Sequence, residues 1–448
     1  MHTATQRVAD FVAKFDLDQA PQEVLEKAKV TLLHDVGVAL AGHELARPAV
    51  DVAKDLGACV GSGGARLLVD GARVTVEHAA LANGALMHAR TQDDTQLDAS
   101  MHLGCTTLPA LLALGDREGA TGRELLTAMV AGYEAASAIA AGFAPRSTAR
   151  GLRATSIYGP FASAAATSRL LGLSAEQTTS ALGLAASFGG GTNQPWVAGT
   201  QEWQYQVGVA SRNGLLAAML AARGVTGAVD ALEGPAGHYR CFAGDAEGAD
   251  SVGSTLGTQW RTLNVTYKPF PICAINQVPV TVLRELVTDH DVREEDVESV
   301  TLALAPHEAA YPGTEAQGPF LDVGATLMSA PYCLAVAIRE RDVRVADLRR
   351  FEDESLMALV RRIEVVPDQA LPGSSCRISI TTRGGGALSQ EYIATPETFN
   401  WDRHETTSRL RVLVDDLPFD PQRLDAFVDV ALDLDNRSVR ELISATIR

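Results

Sequence analysis

The chain has 448 residues, 46% of them hydrophobic and 21% charged, with a formal net charge of −17. That length exceeds one ordinary core and predicts two domains, while the composition excludes a disordered chain. The negative charge excludes nucleic acid and anionic membrane surfaces as partners, although a local cationic pocket can still take an anionic substrate.

The N-terminus, "MHTATQRVADFVAKF", has no basic segment followed by an apolar core, so no signal peptide is expected. No run of about eighteen apolar residues is present, so no membrane span is expected and the expected location is cytoplasmic. "PQEVLEKAKVTLLHDVGVALAG" starts with Pro21 near a helix N-terminus, repeats apolar residues at helical spacing and stops at Gly42. "VEHAALANGALMHAR", "TLPALLALGDREG", "TGRELLTAMVAGYEAASAIAAGF", "GPFASAAATSRLLGL" and "GVASRNGLLAAMLAARG" continue the helical pattern. "SAEQTTSALGLAASFGGG" opens on a capping box, Ser174 to Gln177. Alanine and glycine crowd these helices and allow close backbone approach in a buried bundle. Polar interruptions are therefore the informative places.

The pattern changes near residue 265. "VESVTLALAP" alternates polar and apolar residues and reads as a strand, and "CRISITTRGG" followed by "ALSQEYIA" reads as a hairpin. "APYCLAVAIRERD" and "DESLMALVRRIE" read as helices between them, and "ETTSRLRVLVDD" and "PQRLDAFVDVALDL" return to helix after residue 400. The fold class expected is mainly α. A large all-α helical domain takes residues 1–266 and a smaller α+β domain takes residues 267–400, while the helices of residues 401–448 can return to the first domain, as the resemblance given below implies. The six cysteines (Cys59, Cys105, Cys241, Cys273, Cys333, Cys376) form no CxxC pair, which suits reduced thiols rather than disulfides, a zinc module or an iron–sulfur cluster.

Four polar interruptions stand out. "HARTQDDTQLDASMHLGCTTLP", residues 88–109, sets two adjacent aspartates and two histidines between core helices. It reads either as a catalytic loop or as a capped connection, and adjacent Asp93 and Asp94 must point in different directions. No paired H-x-x-x-H or D-x-D spacing supports a metal. "RGLRATSIYGPFASAAA" brings Arg153, Thr155 and Tyr158 to a helix N-terminus, a site for carboxylate or phosphate or else a surface arginine pair. "ASFGGGTNQPWVAGTQEWQYQ" lacks a P-loop, and its aromatic and amide residues either line a pocket or plug the core. "TYKPFPICAINQ" holds Lys268 between prolines, as an anion anchor, a proton carrier or an exposed linker lysine. His307, Tyr311, Ser329 and Tyr332 are weaker candidates.

Taken together, these stretches resemble the MmgE/PrpD family, which includes 2-methylcitrate dehydratase, cis-aconitate decarboxylase and iminodisuccinate epimerase. The resemblance rests on "LANGALMHARTQDDT" through "MHLGCTTLPALLAL", "YGPFASAAATSRLLGLSAEQTTSALGLAAS", "ASRNGLLAAMLAARGVTGAVDALEGPAG", "YKPFPICAINQ" and "SAPYCLAVAI". It implies that the all-α domain is built from both chain ends, that the α+β domain is a lid, that the site lies between the domains, that the protein is a homodimer, and that no obligatory organic cofactor is needed. It further implies that a proton is removed or delivered next to a carboxylate while cations and hydrogen-bond donors hold the developing charge. By this resemblance His102 is the general acid or base, Asp93 or Asp94 positions substrate or relays the proton, and Lys268 and Arg153 anchor carboxylate. Thr95, Tyr158, Trp203, Gln206, Gln277, Tyr311 and Tyr332 complete the expected substrate site.

The chain departs from the family where Arg153 replaces a common histidine, where Trp203 and Gln206 stand in place of lysine and histidine, and where Asn276 or Gln277 replaces another histidine. Each lost charge-assisted bond would remove about 1.5–3 kcal/mol if still needed, so a tricarboxylate such as methylcitrate is expected to bind poorly. The expected activity is that of a lyase on a small carboxylic acid, most simply dehydration of a hydroxy acid bulkier or less charged than methylcitrate. Epimerisation or isomerisation, decarboxylation, and an inactive binding protein are the alternatives.

Overall fold

A computed structural model describes residues 2–59 and 63–448. The first compact unit comprises Met1–Thr192, Gln204–Tyr267 and Asn400–Arg448, and the second comprises Asn193–Trp203 and Lys268–Phe399. The fold is mainly α, with strands concentrated in the second unit.

In the first unit the helices begin where side chains can satisfy the exposed N–H groups of a first turn. Thr3 with Gln6, Thr121 with Glu124, Ser174 with Gln177 and Ser438 with Glu441 form reciprocal capping boxes. Pro21 precedes the helix Gln22–Ala41, which stops at Gly42. Small residues then let the helices touch backbone to backbone. A Cβ on Gly208 would lie 2.2 Å from the carbonyl oxygen of Leu81, and one on Gly214 would lie 2.3 Å from that of Pro160. These two glycines bring the helix Glu202–Ala221 against the helices Val76–His88 and Ala154–Leu170. Any larger residue there would force the helices apart at a cost of about 1–3 kcal/mol.

The second unit is built on a four-stranded sheet in the order Ile363–Pro367, Val297–Leu304, Cys376–Thr382, Ala387–Tyr392. The last two strands are the expected hairpin, paired from Cys376 with Tyr392 to Thr381 with Ala387. One expectation fails: "DESLMALVRRIE" is not helical to its end. The helix stops at Val360, and Ile363–Pro367 pairs in parallel with Val300–Leu304. The β-branched run Ile363, Val365 and Val366 fits a pleated surface better than a helix, and the parallel partner lies far away in sequence. Asn193–Trp203 belongs to this unit because the indoles of Trp196 and Trp203 pack 5.5 Å apart within its core. Among the described residues no helix is long and apolar enough to cross a membrane.

Candidate active site

The loop between the helices Val76–His88 and Gly104–Glu118 is tied down at both ends and in its middle. Thr91 turns the chain with a φ of +52°. Thr95–Gln96 pairs antiparallel with Val265–Thr266, and Gln96 and Met101 exchange backbone bonds of 2.8 and 3.2 Å. The loop therefore doubles back before the next helix starts, which buries both aspartates completely.

Their carboxylates diverge, as adjacent side chains must. Asp94 accepts the N–H of Gly104 at 2.9 Å and the hydroxyl of Tyr133 at 2.8 Å, while its own N–H goes to Asp35 at 2.9 Å. Its carboxylate thus sits on the first N–H groups of a helix, where a negative charge is stabilised. Gly104 is required for this approach, since a Cβ there would lie 1.8 Å from the Asp35 carboxylate. Asp93 faces His88 Nδ1 instead, at 2.8 and 2.9 Å.

His88 is clamped on its other side by the Arg153 guanidinium, 2.6 Å from Nε2. Arginine has only donors, so Nε2 must accept and the ring hydrogen sits on Nδ1, facing Asp93. The result is a buried carboxylate–imidazole–guanidinium row. Arg153 is only 4% exposed, and it is neither a surface residue nor half of a surface pair. Its second partner is the Gln206 amide oxygen at 3.2 Å, which also accepts the Ser156 hydroxyl at 3.0 Å. Gln206 therefore orients Arg153 and is fixed in turn by the Thr192 carbonyl at 3.2 Å.

His102 stands beside this row, its ring centroid 5.1 Å from that of His88, and it is only partly buried. Its Nδ1 is 2.7 Å from the Asp94 carbonyl oxygen, its backbone N–H donates to Thr155 Oγ1 at 3.2 Å, and Thr95 Oγ1 is 3.5 Å from Nδ1. A carbonyl only accepts, so the hydrogen is on Nδ1 and the lone pair on Nε2. That is the tautomer of a base able to take and return a proton at Nε2.

His88 Nδ1, Asp93 and the Cys105 thiol lie within 4.8 Å of one another, close enough to share a metal ion. The donor set fits one poorly. Burial, together with the Asp93 carboxylate, pushes the Cys105 thiol well above its ordinary range and keeps it protonated. Metal on Nδ1 would also move the ring hydrogen to Nε2, against the N–H groups of Arg153.

In the second unit Lys268 is 2% exposed, which excludes the exposed linker lysine, and burial pushes the neighbouring Cys273 thiol up, an effect that the Lys268 ammonium offsets only in part. Gln277 is not placed for substrate. Its amide accepts the Phe270 N–H at 3.1 Å and donates to the carbonyls of Phe270 and Ile272 at 3.0 and 2.9 Å. It thereby replaces the ladder that the proline-rich stretch cannot form. Asn276 does the same for the Leu327 and Met328 carbonyls at 3.2 and 3.0 Å. Tyr332 is fully buried with its hydroxyl on the Asp347 carbonyl at 2.8 Å, and Trp203 is 4% exposed against Trp196. Tyr158, in the first unit, is likewise a core residue, bonded to Ser147 at 2.9 Å with its ring against His238. Tyr311 is partly buried and lies 3.5 Å from Asn193 Oδ1. Burial pushes the Glu308 carboxyl up to about 7, although it accepts the Ser374 N–H at 2.8 Å.

The structure therefore unites Asp93, Asp94, Thr95, His102, Arg153 and Gln206, and adds His88 and Asp35, which the sequence reading did not single out. His88 carried a signal, being the second histidine of the same stretch. Asp35 carried a fainter one, as the carboxylate in the apolar C-terminal half of its helix.

Comparison with known proteins places the chain in a family. The MmgE/PrpD N-terminal domain matches residues 6–249 and the MmgE/PrpD C-terminal domain matches residues 270–412. A cis-aconitate decarboxylase-like protein of Aspergillus oryzae is 25% identical over 88% of this chain and 87% of its own. The cis-aconitate decarboxylase of Aspergillus terreus is 25% identical over 78% of this chain and 74% of its own. The human cis-aconitate decarboxylase is 32% identical, over 38% of this chain and 36% of its own.

Proposed function

Since the chain belongs to the MmgE/PrpD family, we propose that it is a lyase that breaks a bond next to a carboxylate of a small unsaturated polycarboxylic acid, releasing carbon dioxide. The observation that carries this reading is the partly buried His102, with its lone pair on Nε2, set beside the buried Asp93–His88–Arg153 row. Dehydration was the simpler expectation from sequence. The relatives named as cis-aconitate decarboxylases favour loss of carbon dioxide, and the same side chains serve it.

In this reading the guanidinium of Arg153 meets a substrate carboxylate, as a permanent cation where a histidine would have titrated. His102 first takes a proton from solvent at Nε2. The departing carboxylate leaves as carbon dioxide, its bond pair forms a new double bond, the pair of the former double bond moves to the carbon beside a remaining carboxylate, and that carbon takes the Nε2 proton, which restores the lone pair. His88, held neutral by its two partners, keeps Arg153 aimed and Asp93 ionised without being the proton donor.

Purified protein incubated with cis-aconitate in heavy water tests this. Carbon dioxide evolution with one deuterium in the product is expected. Water loss from 2-methylcitrate without carbon dioxide would return the reading to dehydration. Deuterium entering recovered substrate with neither product would return it to epimerisation.

A further inference from the structure

In the first unit a cavity of about 320 Å³ lies between the C-terminal end of the helix Gly122–Ala140 and the segment of residues 247–261. That volume suits a small organic molecule. Part of its wall is apolar and fixed. The Phe143 ring stacks on Tyr239 with centroids 3.5 Å apart, and the Arg146 guanidinium lies 5.0 Å from the centre of the same ring. Val252, buried, lines the cavity with it.

The lining also carries two charges of opposite sign, Arg261 and Glu247. Arg261 is held at three points. Its N–H donates to Glu134 at 3.1 Å, its carbonyl accepts the Gln96 amide at 3.3 Å, and its guanidinium gives an N–H to Asp98 at 3.2 Å. A guanidinium has several further donors, so most of its capacity is left for a ligand. Glu247 is held by its backbone alone, through the Asp245 carboxylate at 2.8 Å and the Arg146 guanidinium at 3.2 Å. Among the described residues its own carboxylate has no partner. The backbone adds donors. Arg7 takes the carbonyls of Val252, Ala249 and Asp250 at 2.9, 3.0 and 3.0 Å. The N–H groups of Gly253 and Thr255, both in the lining, bond to nothing among the described residues.

We propose that this cavity binds a free α-amino acid with an apolar side chain. Its carboxylate would lie on Arg261 and the N–H groups of Gly253 and Thr255, its ammonium at Glu247, and its side chain against Phe143 and Val252. A ligand with a carboxylate alone would meet Glu247 uncompensated and an Arg261 already paired with Asp98. A ligand with an amine alone would leave the Arg261 donors and both N–H groups unmet. A zwitterion answers both ends and brings no net charge. Asp98 belongs to the loop of residues 89–103, so the bound amino acid would share its guanidinium with that loop. The binding does not depend on the reaction proposed above.

Isothermal titration calorimetry of the full chain with L-leucine, 4-methylpentanoate and 3-methylbutylamine tests this, since the second probe lacks the ammonium and the third the carboxylate. Leucine should bind with a Kd of about 1 mM or tighter, and each truncated probe about five-fold more weakly or worse. Arg261→Gln and Glu247→Gln should each weaken leucine by about five- to ten-fold. Glu247→Gln alters an exposed side chain without a partner and should melt as wild type does, so it decides the matter if Arg261→Gln loosens the fold. Leucine bound no better than 4-methylpentanoate, leucine binding unaltered by Glu247→Gln, or no leucine binding below about 10 mM would each overturn the proposal.

Discussion

Asp93 and Asp94 are neighbours in sequence, equally buried, and set in opposite chemistries. Asp93 looks through His88 to Arg153, a cation that does not titrate in any accessible range. Asp94 looks to a helix N-terminus, a tyrosine and Asp35. One carboxylate thus belongs to a row of fixed charge that meets substrate in the proposed reaction. The other belongs to a scaffold of neutral donors, the Gly104 N–H and the Tyr133 hydroxyl. The comparison teaches that burial alone does not assign a role; the partner does.

Four experiments break or sharpen that contrast. His102→Gln should lower kcat by about 10²–10⁴-fold with an unchanged melting temperature, because it removes the proton carrier between the two aspartates and nothing from the core. Arg153→Lys should cost about ten- to a hundred-fold, mostly in KM, as a point charge replaces a planar fork worth about 1.5–3 kcal/mol per bond. Tyr133→Phe strikes the Asp94 side alone. It should cost about 1–3 kcal/mol in denaturant unfolding while kcat moves by less than about three-fold, since Gly104 still holds the carboxylate.

The smallest effect concerns Lys27 and stability. Its folded value, about 7, lies below the unfolded 10.5. The unfolded chain therefore binds more protons between those values, and stability from this group rises with pH across that window. Below about 7 both states are protonated and the buried charge costs its full amount. Lys27→Met should accordingly melt higher than wild type at pH 6, by a few degrees, with the gap closing toward pH 10.

Much of the scaffold was legible because its signals are local. The Ser174–Gln177 box, the stop at Gly42 and the Cys376–Tyr392 hairpin each depend on residues within one element or two adjoining ones. The divergence of the two aspartates was legible for the same reason. Which of them serves which purpose was not, because the answer depends on Asp35, Tyr133 and Arg153, supplied by three other helices or their caps. Gln277, Tyr332 and Trp203 misled because a polar or aromatic side chain that suits a substrate also suits a buried backbone carbonyl or a second indole. Ile363–Pro367 misled because its parallel partner could not be seen from the strand itself.

The first unit is assembled from both ends of the chain, and this sets an order on its synthesis. Trp401 packs on Tyr267 and His34, and Asp416 pairs with Arg90 beside the loop of residues 89–103. On the ribosome those partners emerge only after all of Lys268–Phe399 has been made. Until then the helix Gln22–Ala41 shows its lysine and histidine to water, and the proton-handling loop has no closed back wall. The nascent protein therefore carries a finished second unit before it owns a working first one.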